Sequence, residues 1–319
     1  MLSHLSSHIK KGLVPLYFDE NGTPHYNSVD TSLWFVYALD RYIDYTGDVS
    51  FGVELVPRLL EIIRWYVDGT DHGIKVGGDG LVSCGARLTW MDGDVDGMPV
   101  TPRNGKPCEV NALWHNALCV VSALCEEAGR DVWFGEYIDR VRENYWKFWN
   151  DEFECLFDVI DPHDESPRPN QVIGFLFELK NNHNHKLKGN QKNIIPHPKK
   201  VVEFVQRNLL TSRGLRTLAP WYRGYKGRYV GGWNDRNLAY HQGSVWTWLL
   251  GPFVRGYTGV KSTTQLPKKL LLGFLPHLEE AGIGTVSELF DGDEPHIPRG
   301  CISQAWSVAE LLRCCVEDV

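Results

Sequence analysis

The sequence predicts an all-α protein whose helical hairpins stand in a ring, with the loops at one end forming a cup. Three observations predict it. Apolar residues recur at helical spacing almost from end to end. Long stretches rich in Gly, Asp and Pro follow alternate helices. Acidic residues and tryptophans gather in those stretches, where a scaffold of this kind carries its site.

The elements follow in chain order. A helical stub covers Leu2 to Lys11. Ser32 to Tyr45 carries a clear apolar stripe, with Asp30 or Thr31 as N-cap and Gly47 beyond its end. Val53 to Val67 comes next, its Pro57 placed near the first turn, where proline is tolerated. Helices are then expected over Cys108 to Ala128, Val132 to Trp149, Asn170 to Leu179, Val201 to Leu210, His241 to Tyr257, Leu266 to Ala281 and Ser303 to Val316. That makes about ten. The connecting stretches Val76 to Lys106 and Gly214 to Tyr240 are the long ones, and the first holds a hairpin around Gly77-Gly78-Asp79-Gly80. Residues at about 180–200 are polar, basic and Asn-rich, and read as an insertion into one domain spanning residues 1–319.

Composition narrows the function classes. With 43% hydrophobic and 23% charged residues, the chain has the material for a sizeable core. A net charge of -7 argues against a nucleic-acid partner, which requires a clustered basic surface. No apolar run reaches the roughly 18 residues of a membrane span. The first residues have no apolar stretch ahead of a small-residue cleavage site, so the expected location is the cytoplasm. Eight scattered cysteines without a CxxC read as reduced, mostly buried thiols. His183, His185 and His197 lack a matching Cys or carboxylate spacing, so no metal is expected. Twelve tryptophans accompany 13 tyrosines and 13 phenylalanines. Most will fill core, but an indole face also suits the C–H face of a sugar ring.

Two acidic clusters are candidates for chemistry. Thr89-Trp90-Met91-Asp92-Gly93-Asp94-Val95-Asp96-Gly97 opens like an EF-hand calcium loop, yet the position that needs a bidentate Glu is Arg103. The calcium reading therefore fails. What remains is either a solvated acidic turn or a partly buried Asp92, held protonated as a general acid. Ser287-Glu288-Leu289-Phe290-Asp291-Gly292-Asp293 offers either a solvated turn or a carboxylate between apolar neighbours, suited to a general base. Two further clusters, around Gln242 and around Glu109 with Arg103, read more readily as helix caps and ion pairs than as ligand sites.

The segments LTWMD, TPRNGKPCEVNALWHNAL, RPNQ, NLAYHQGSVWTWLLGPF and SELFDGDEPHIPRGCISQAWSVAELL, with VDTSLWFVYALDRYIDYTGD before them, resemble the amylo-α-1,6-glucosidase family. This is the glucosidase part of glycogen debranching enzymes, and the resemblance runs from about residue 8 to 316 in the family's order. It implies an (α/α)6 barrel that hydrolyses α-1,6-linked glucose stubs of glycogen or related α-glucans, with inversion and without a cofactor. By matched motif, Asp92 is the general acid, Glu288 the general base, and Asp30 a grip on the glucose hydroxyls. Trp34, Trp90, Glu109, Gln242, Trp246 and Trp306 are implied to line the pocket. Family members usually carry, ahead of this region, a largely β domain and a helix with a Gly-Arg-Asp-Thr stretch. Neither occurs here, so about ten helices stand where six hairpins would supply twelve. An incomplete ring would expose apolar faces to a second copy or to a separate N-terminal partner chain. Two other readings remain: a non-catalytic glycan-binding subunit, and a glycosidase for another α-glucoside such as trehalose.

Overall fold

The computed structural model describes residues 1–177 and 194–319. Most of the expected insertion, the end of the expected Asn170 to Leu179 helix, and His183 and His185 lie outside the described residues. The chain is mostly helical with small sheets: α1 (Leu2–Ser7), α2 (Thr31–Thr46), α3 (Val49–Asp68), α4 (Cys108–Glu127), α5 (Gly135–Asn144), α6 (Pro198–Asn208), α7 (Trp233–Tyr240), α8 (Leu250–Lys261), α9 (Gln265–Leu272) and α10 (Ala305–Glu317). Among the described residues, no helix is long and apolar enough to cross a membrane.

Local chemistry accounts for the well-placed ends. Gly47 closes α2 in the left-handed conformation (φ 75°), its N–H returning to the Ile43 carbonyl at 2.7 Å. The Asp48 carboxylate then accepts the Phe51 N–H at 3.1 Å and starts α3. Helix α3 therefore begins four residues earlier than expected, and Pro57 falls in its interior rather than its first turn. Asp30 stands at the N-cap of α2 without a side-chain cap bond. Ser28 Oγ takes that role, accepting the Thr31 N–H at 3.1 Å.

Helix α4 is buried on nearly every side, as an apolar-all-round sequence requires. It packs against α2, α3, α5 and the 3-10 helix Pro169–Phe177. That 3-10 helix packs in turn on α8, and α8 on α10. Tyr45 of α2 hydrogen-bonds Glu317 of α10, which links the two ends of this succession.

Several expected helices take another form. His241 to Tyr257 divides: α7 ends at Tyr240, Val245–Trp246 is a strand, and α8 begins only at Leu250. Gly243 forces the break, because its φ of +144° and its approach to the Lys226 carbonyl leave no room for a Cβ. The Val132 to Trp149 helix is α5 plus the 3-10 turn Tyr145–Phe148 and then a strand residue. Helix α9 gives way to the 3-10 turn Pro276–Glu279 before Ala281.

The hairpin around Gly77–Gly80 forms as expected, Lys75–Val76 pairing with Val82–Ser83. An unexpected five-stranded antiparallel sheet joins Leu210–Thr211, Gly214–Arg216, Val245–Trp246, Leu289–Phe290 and Pro298–Arg299 in that order. Its register sets Trp246 opposite Leu289 and Leu289 opposite Arg299. All eight cysteines are free, and only Cys301 and Cys315 are exposed.

Candidate active site

Asp92 stands at the mouth of a hairpin, Asp94–Val95 paired with Met98–Pro99. The turn residues Asp96 and Gly97 both have positive φ (51° and 78°), the geometry of a tight two-residue hairpin. The approach to Asp92 is anchored from beneath. The Trp90 N–H donates to Asp30 Oδ2 at 2.9 Å, and its indole N–H to Asn170 Oδ1 at 2.9 Å. Asn170 Nδ2 donates to Asp158 Oδ1 at 2.7 Å. Asp158 and Glu109 both receive the buried guanidinium of Arg103, which also donates to Thr89 Oγ1 at 3.1 Å. Asp92 itself is half-buried. Burial pushes its carboxyl above the ordinary aspartate value, opposed by its backbone amide and by the Arg87 charge. Arg87 pairs with the neighbouring Asp94 instead of with Asp92.

Glu288 is 7% exposed and enters the sheet just before Leu289. Its N–H donates to the Cys301 carbonyl at 2.9 Å, extending the pairing of its strand with Pro298–Arg299. One carboxylate oxygen accepts the Tyr240 hydroxyl and the other the Cys301 N–H at 2.8 Å. Gly300 (φ 67°) passes so close that an added Cβ would lie 2.4 Å from Oε2. A hollow of about 430 Å³ opens here, bounded by Tyr229, Val230, Gly231, Arg236, Arg299 and Gly300.

Tyr240 is hydrogen-bonded to Glu288 and lies near the loop of Asp92. Its phenol is raised well above the ordinary tyrosine value by burial, then by the hydrogen bond to Glu288, with the Asp92 charge contributing further. Gly93, next to Asp92, packs against the same ring: a Cβ there would sit 3.7 Å from it. Tyr240 thus hydrogen-bonds Glu288 and stands within contact distance of the residue that follows Asp92.

Indoles form a wall behind them. Trp90 meets Trp246 and Trp248 edge-on at 5.5 and 5.1 Å, and Trp248 meets Trp34 and Trp306 at 6.2 and 5.5 Å. Trp246 and Trp248 are buried, Trp34 and Trp90 half-buried, and Trp306 is 47% exposed. His241 lies under Trp90 and Trp246, and burial holds it far below the ordinary imidazole value, so it is neutral.

The expected pocket residues do not all share this wall. Asp30 is 5% exposed, and each of its oxygens has a donor inside the protein, Ser28 Oγ at 2.5 Å and the Trp90 N–H. Glu109 is 1% exposed and forked to Arg103. Both are therefore buried with partners inside the protein, where each neutralises or anchors a buried group. Gln242 donates to the Val100 carbonyl at 3.0 Å and to Thr101 Oγ1 at 3.1 Å, and accepts from Arg168 at 3.1 Å. It borders a separate hollow of about 590 Å³ with Tyr222 and Lys226. Sequence reasoning missed Tyr240, although its Tyr-His-Gln-Gly context was in view, and Trp248, which sits two residues from Trp246.

Among the described residues, one cluster has metal-ligand character, Cys108, Glu109 and Asp158. The Arg103 guanidinium already occupies it, with Nε 2.6 Å from Asp158 Oδ2. His197 packs against the rings of Trp146 and Trp149.

The sequence matches the family described as amylo-alpha-1,6-glucosidase over residues 1–313. The chain belongs to the amylo-alpha-1,6-glucosidase family. The glycogen debranching enzyme of Saccharomyces cerevisiae is 25% identical over 340 residues, an alignment covering 78% of this chain. The chain spans only 22% of that relative's length. Among solved structures, a GH63 mannosylglycerate hydrolase from Thermus thermophilus, in complex with glucose, superposes with a TM-score of 0.64. It is 15% identical, with 98% of this chain and 85% of that one covered. A GH78 family rhamnosidase from Bacillus sp. GL1 gives a TM-score of 0.55 at 13% identity, over 90% of this chain and 26% of that one. This amylo-alpha-1,6-glucosidase family member therefore shares the fold of helical glycoside hydrolases.

Proposed function

We propose that this chain is an inverting glycoside hydrolase that releases glucose from α-1,6 branch points of an α-glucan. Asp92 is the general acid and Glu288 the general base. One observation supports the reading: Tyr240 and the Cys301 N–H fix the Glu288 carboxylate, and the Tyr240 ring packs beside Gly93, the neighbour of half-buried Asp92, whose carboxyl burial pushes up. Asp92 gives its proton to the departing glycosidic oxygen as the C1–O bond breaks. Glu288 takes a proton from water as the water oxygen bonds to C1 from the opposite face. Inversion requires the carboxyl groups to stand about 6.5–9.5 Å apart, with room for that water. The sugar ring rests against Trp34, Trp90 and Trp306, while Asp30 acts from behind by holding the Trp90 loop.

The scaffold is read as an (α/α)6 barrel. The succession α2, α4, Pro169–Phe177, α8 and α10 supports this reading, each packing on the next, with α3, α5 and α6 packed against its members. Helix α10 leaves Val308, Leu312 and Val316 exposed on one face, which fits a further helical surface from a second copy or a partner chain.

A second reading, hydrolysis of another glycoside, draws support from the fold shared with the mannosylglycerate hydrolase. A substrate panel of α-1,6, α-1,4 and α,α-1,1 glucosides separates the two. Nuclear magnetic resonance of fresh product should show β-glucose from the α-1,6 substrate, with turnover lost in Asp92→Asn and Glu288→Gln. Turnover by wild type that survives both substitutions would sink the assignment. Binding of malto-oligosaccharides without any turnover would favour a glycan-binding subunit.

A further inference from the structure

We infer that Tyr240 is the positioning residue for Glu288, fixing and sustaining the carboxylate that the proposed reaction uses as its base. The inference rests on that reading of Glu288.

Tyr240 closes α7, and Gly243 turns the chain immediately afterwards into the strand Val245–Trp246. The phenol is therefore held where a helix end meets a sheet, instead of on a long loop. Its ring lies 5.1 Å from Trp246, 4.5 Å from His241 and 5.7 Å from Tyr229. Its own carbonyl accepts the Trp246 indole N–H at 3.1 Å, so backbone and ring are both fixed. From that seat the hydroxyl donates to Glu288 Oε1, while the Cys301 N–H donates to Oε2. Two donors on two oxygens set the plane of the carboxylate. Each oxygen keeps a second lone pair, which leaves one free for the proton of an attacking water.

The residue type matters. A Lys or Arg in this place would hold the carboxylate more strongly, but its positive charge would oppose proton uptake. A phenol donates without carrying charge. Burial, the hydrogen bond to Glu288 and the Asp92 charge keep it protonated, so it remains a donor. Arg299 and Arg228, two cations in this part of the sheet, pair with Asp291 instead.

Tyr240→Phe keeps the packed ring and removes only the donor. It should lower kcat by about 10- to 100-fold with little change in KM, because the group lost acts on the base and not on the sugar. The acid limb of the pH profile should move to higher pH, since one hydrogen bond that favours the anion is gone. A purely structural tyrosine would move neither the limb nor the kcat/KM split in this way. Two further readouts need no turnover. In protein labelled with ¹³C-glutamate, the resonance absent from Glu288→Gln should titrate at higher pH in Tyr240→Phe. In Glu288→Gln, with Tyr240 intact, one tyrosine should ionise at lower pH by ultraviolet absorbance, which keeps the idea testable if the Phe variant does not fold. An inactive wild type would remove the hydrolase reading and leave both titrations to be judged. Unmoved titrations, or an unchanged pH profile in an active Phe variant, would overturn the role given to Tyr240.

Discussion

The backbone N–H of Trp90 donates to the buried carboxylate of Asp30 at 2.9 Å, so a residue at the start of one helix holds the loop that presents Asp92. The contact spans 60 positions of sequence and has a titration attached. Asp30 is raised to about 6, by burial first, with the Ser28 hydroxyl opposing and the Glu109 charge adding to it. A folded-state value above the unfolded one means that the native protein holds the extra proton. Stability from this group is full below the unfolded value and falls as pH rises through about 6. Asp30→Asn should remove that fall. The difference between the melting temperatures of wild type and variant, followed from about pH 4 to 7, should therefore tilt in favour of the variant as pH rises. A flat difference would contradict it.

Arg103 supports the same loop from deeper in the protein. Its guanidinium reaches Glu109, Asp158 and Thr89 at once, in a setting from which water is excluded. Arg103→Met would leave Glu109 buried without its counter-charge, and Asp158 with only the more distant Arg168 guanidinium at 3.7 Å. Breaking such a cluster from one side costs about 3–5 kcal/mol. Urea unfolding should register a loss of that order, and a change below about 1 kcal/mol would show that water or rearrangement compensates.

These contacts mark where sequence reading stops. Helices α2 and α4 and the Gly77–Gly80 hairpin were legible because their signals are local: a periodic stripe, a Gly just past the end, a turn of four small or acidic residues. Asp92 and Glu288 were legible only as candidates, since nothing in their spacing distinguishes a solvated turn from a buried site. The five-stranded sheet was not legible. Its strands are two or three residues long, too short for alternation to register, and Trp246 pairs with Leu289 across a long stretch of chain. Glu109 looked like a pocket residue because its motif matched, and only the fork to Arg103 reveals it as a buried counter-ion. Tyr240 was hidden for the same reason: a hydrogen bond between distant residues leaves no periodic trace.

Gly300 offers a test that separates the site from the scaffold. It combines a φ of 67° with an approach to Glu288 that leaves no space for a Cβ. Gly300→Ala should displace the Glu288 carboxylate and reduce kcat by on the order of 100-fold, the cost of a misplaced reacting group. The strain of the left-handed backbone should lower stability by about 1–2 kcal/mol. Gly93→Ala is the matched control beside the other acid. A Cβ at Gly93 meets its nearest neighbour, the His241 ring, at 3.5 Å, which is ordinary contact. Its activity should stay within about threefold of wild type, because ordinary contact displaces nothing. Equal losses at both positions would mean that the neighbourhood of Glu288 has no special constraint.

The indole wall should divide by burial. Trp306 is 47% exposed and stands in front of Trp246 and Trp248, whose rings lie 6.2 and 5.5 Å away. Truncating it removes a surface on which a sugar face can rest, while the interior loses little. Trp306→Ala should raise KM by about tenfold and leave the melting temperature nearly unchanged, an indole–sugar contact being of the size of other aromatic contacts. Trp248 is 5% exposed, in edge contact with Trp34, Trp90 and Trp306. Trp248→Ala opens a cavity at the centre of the wall and should cost about 3–5 kcal/mol of stability. Kinetics and thermal unfolding of the two variants, measured side by side, decide it. If Trp306→Ala destabilises as much as Trp248→Ala, the exposed indole is packing material and the wall is no sugar platform.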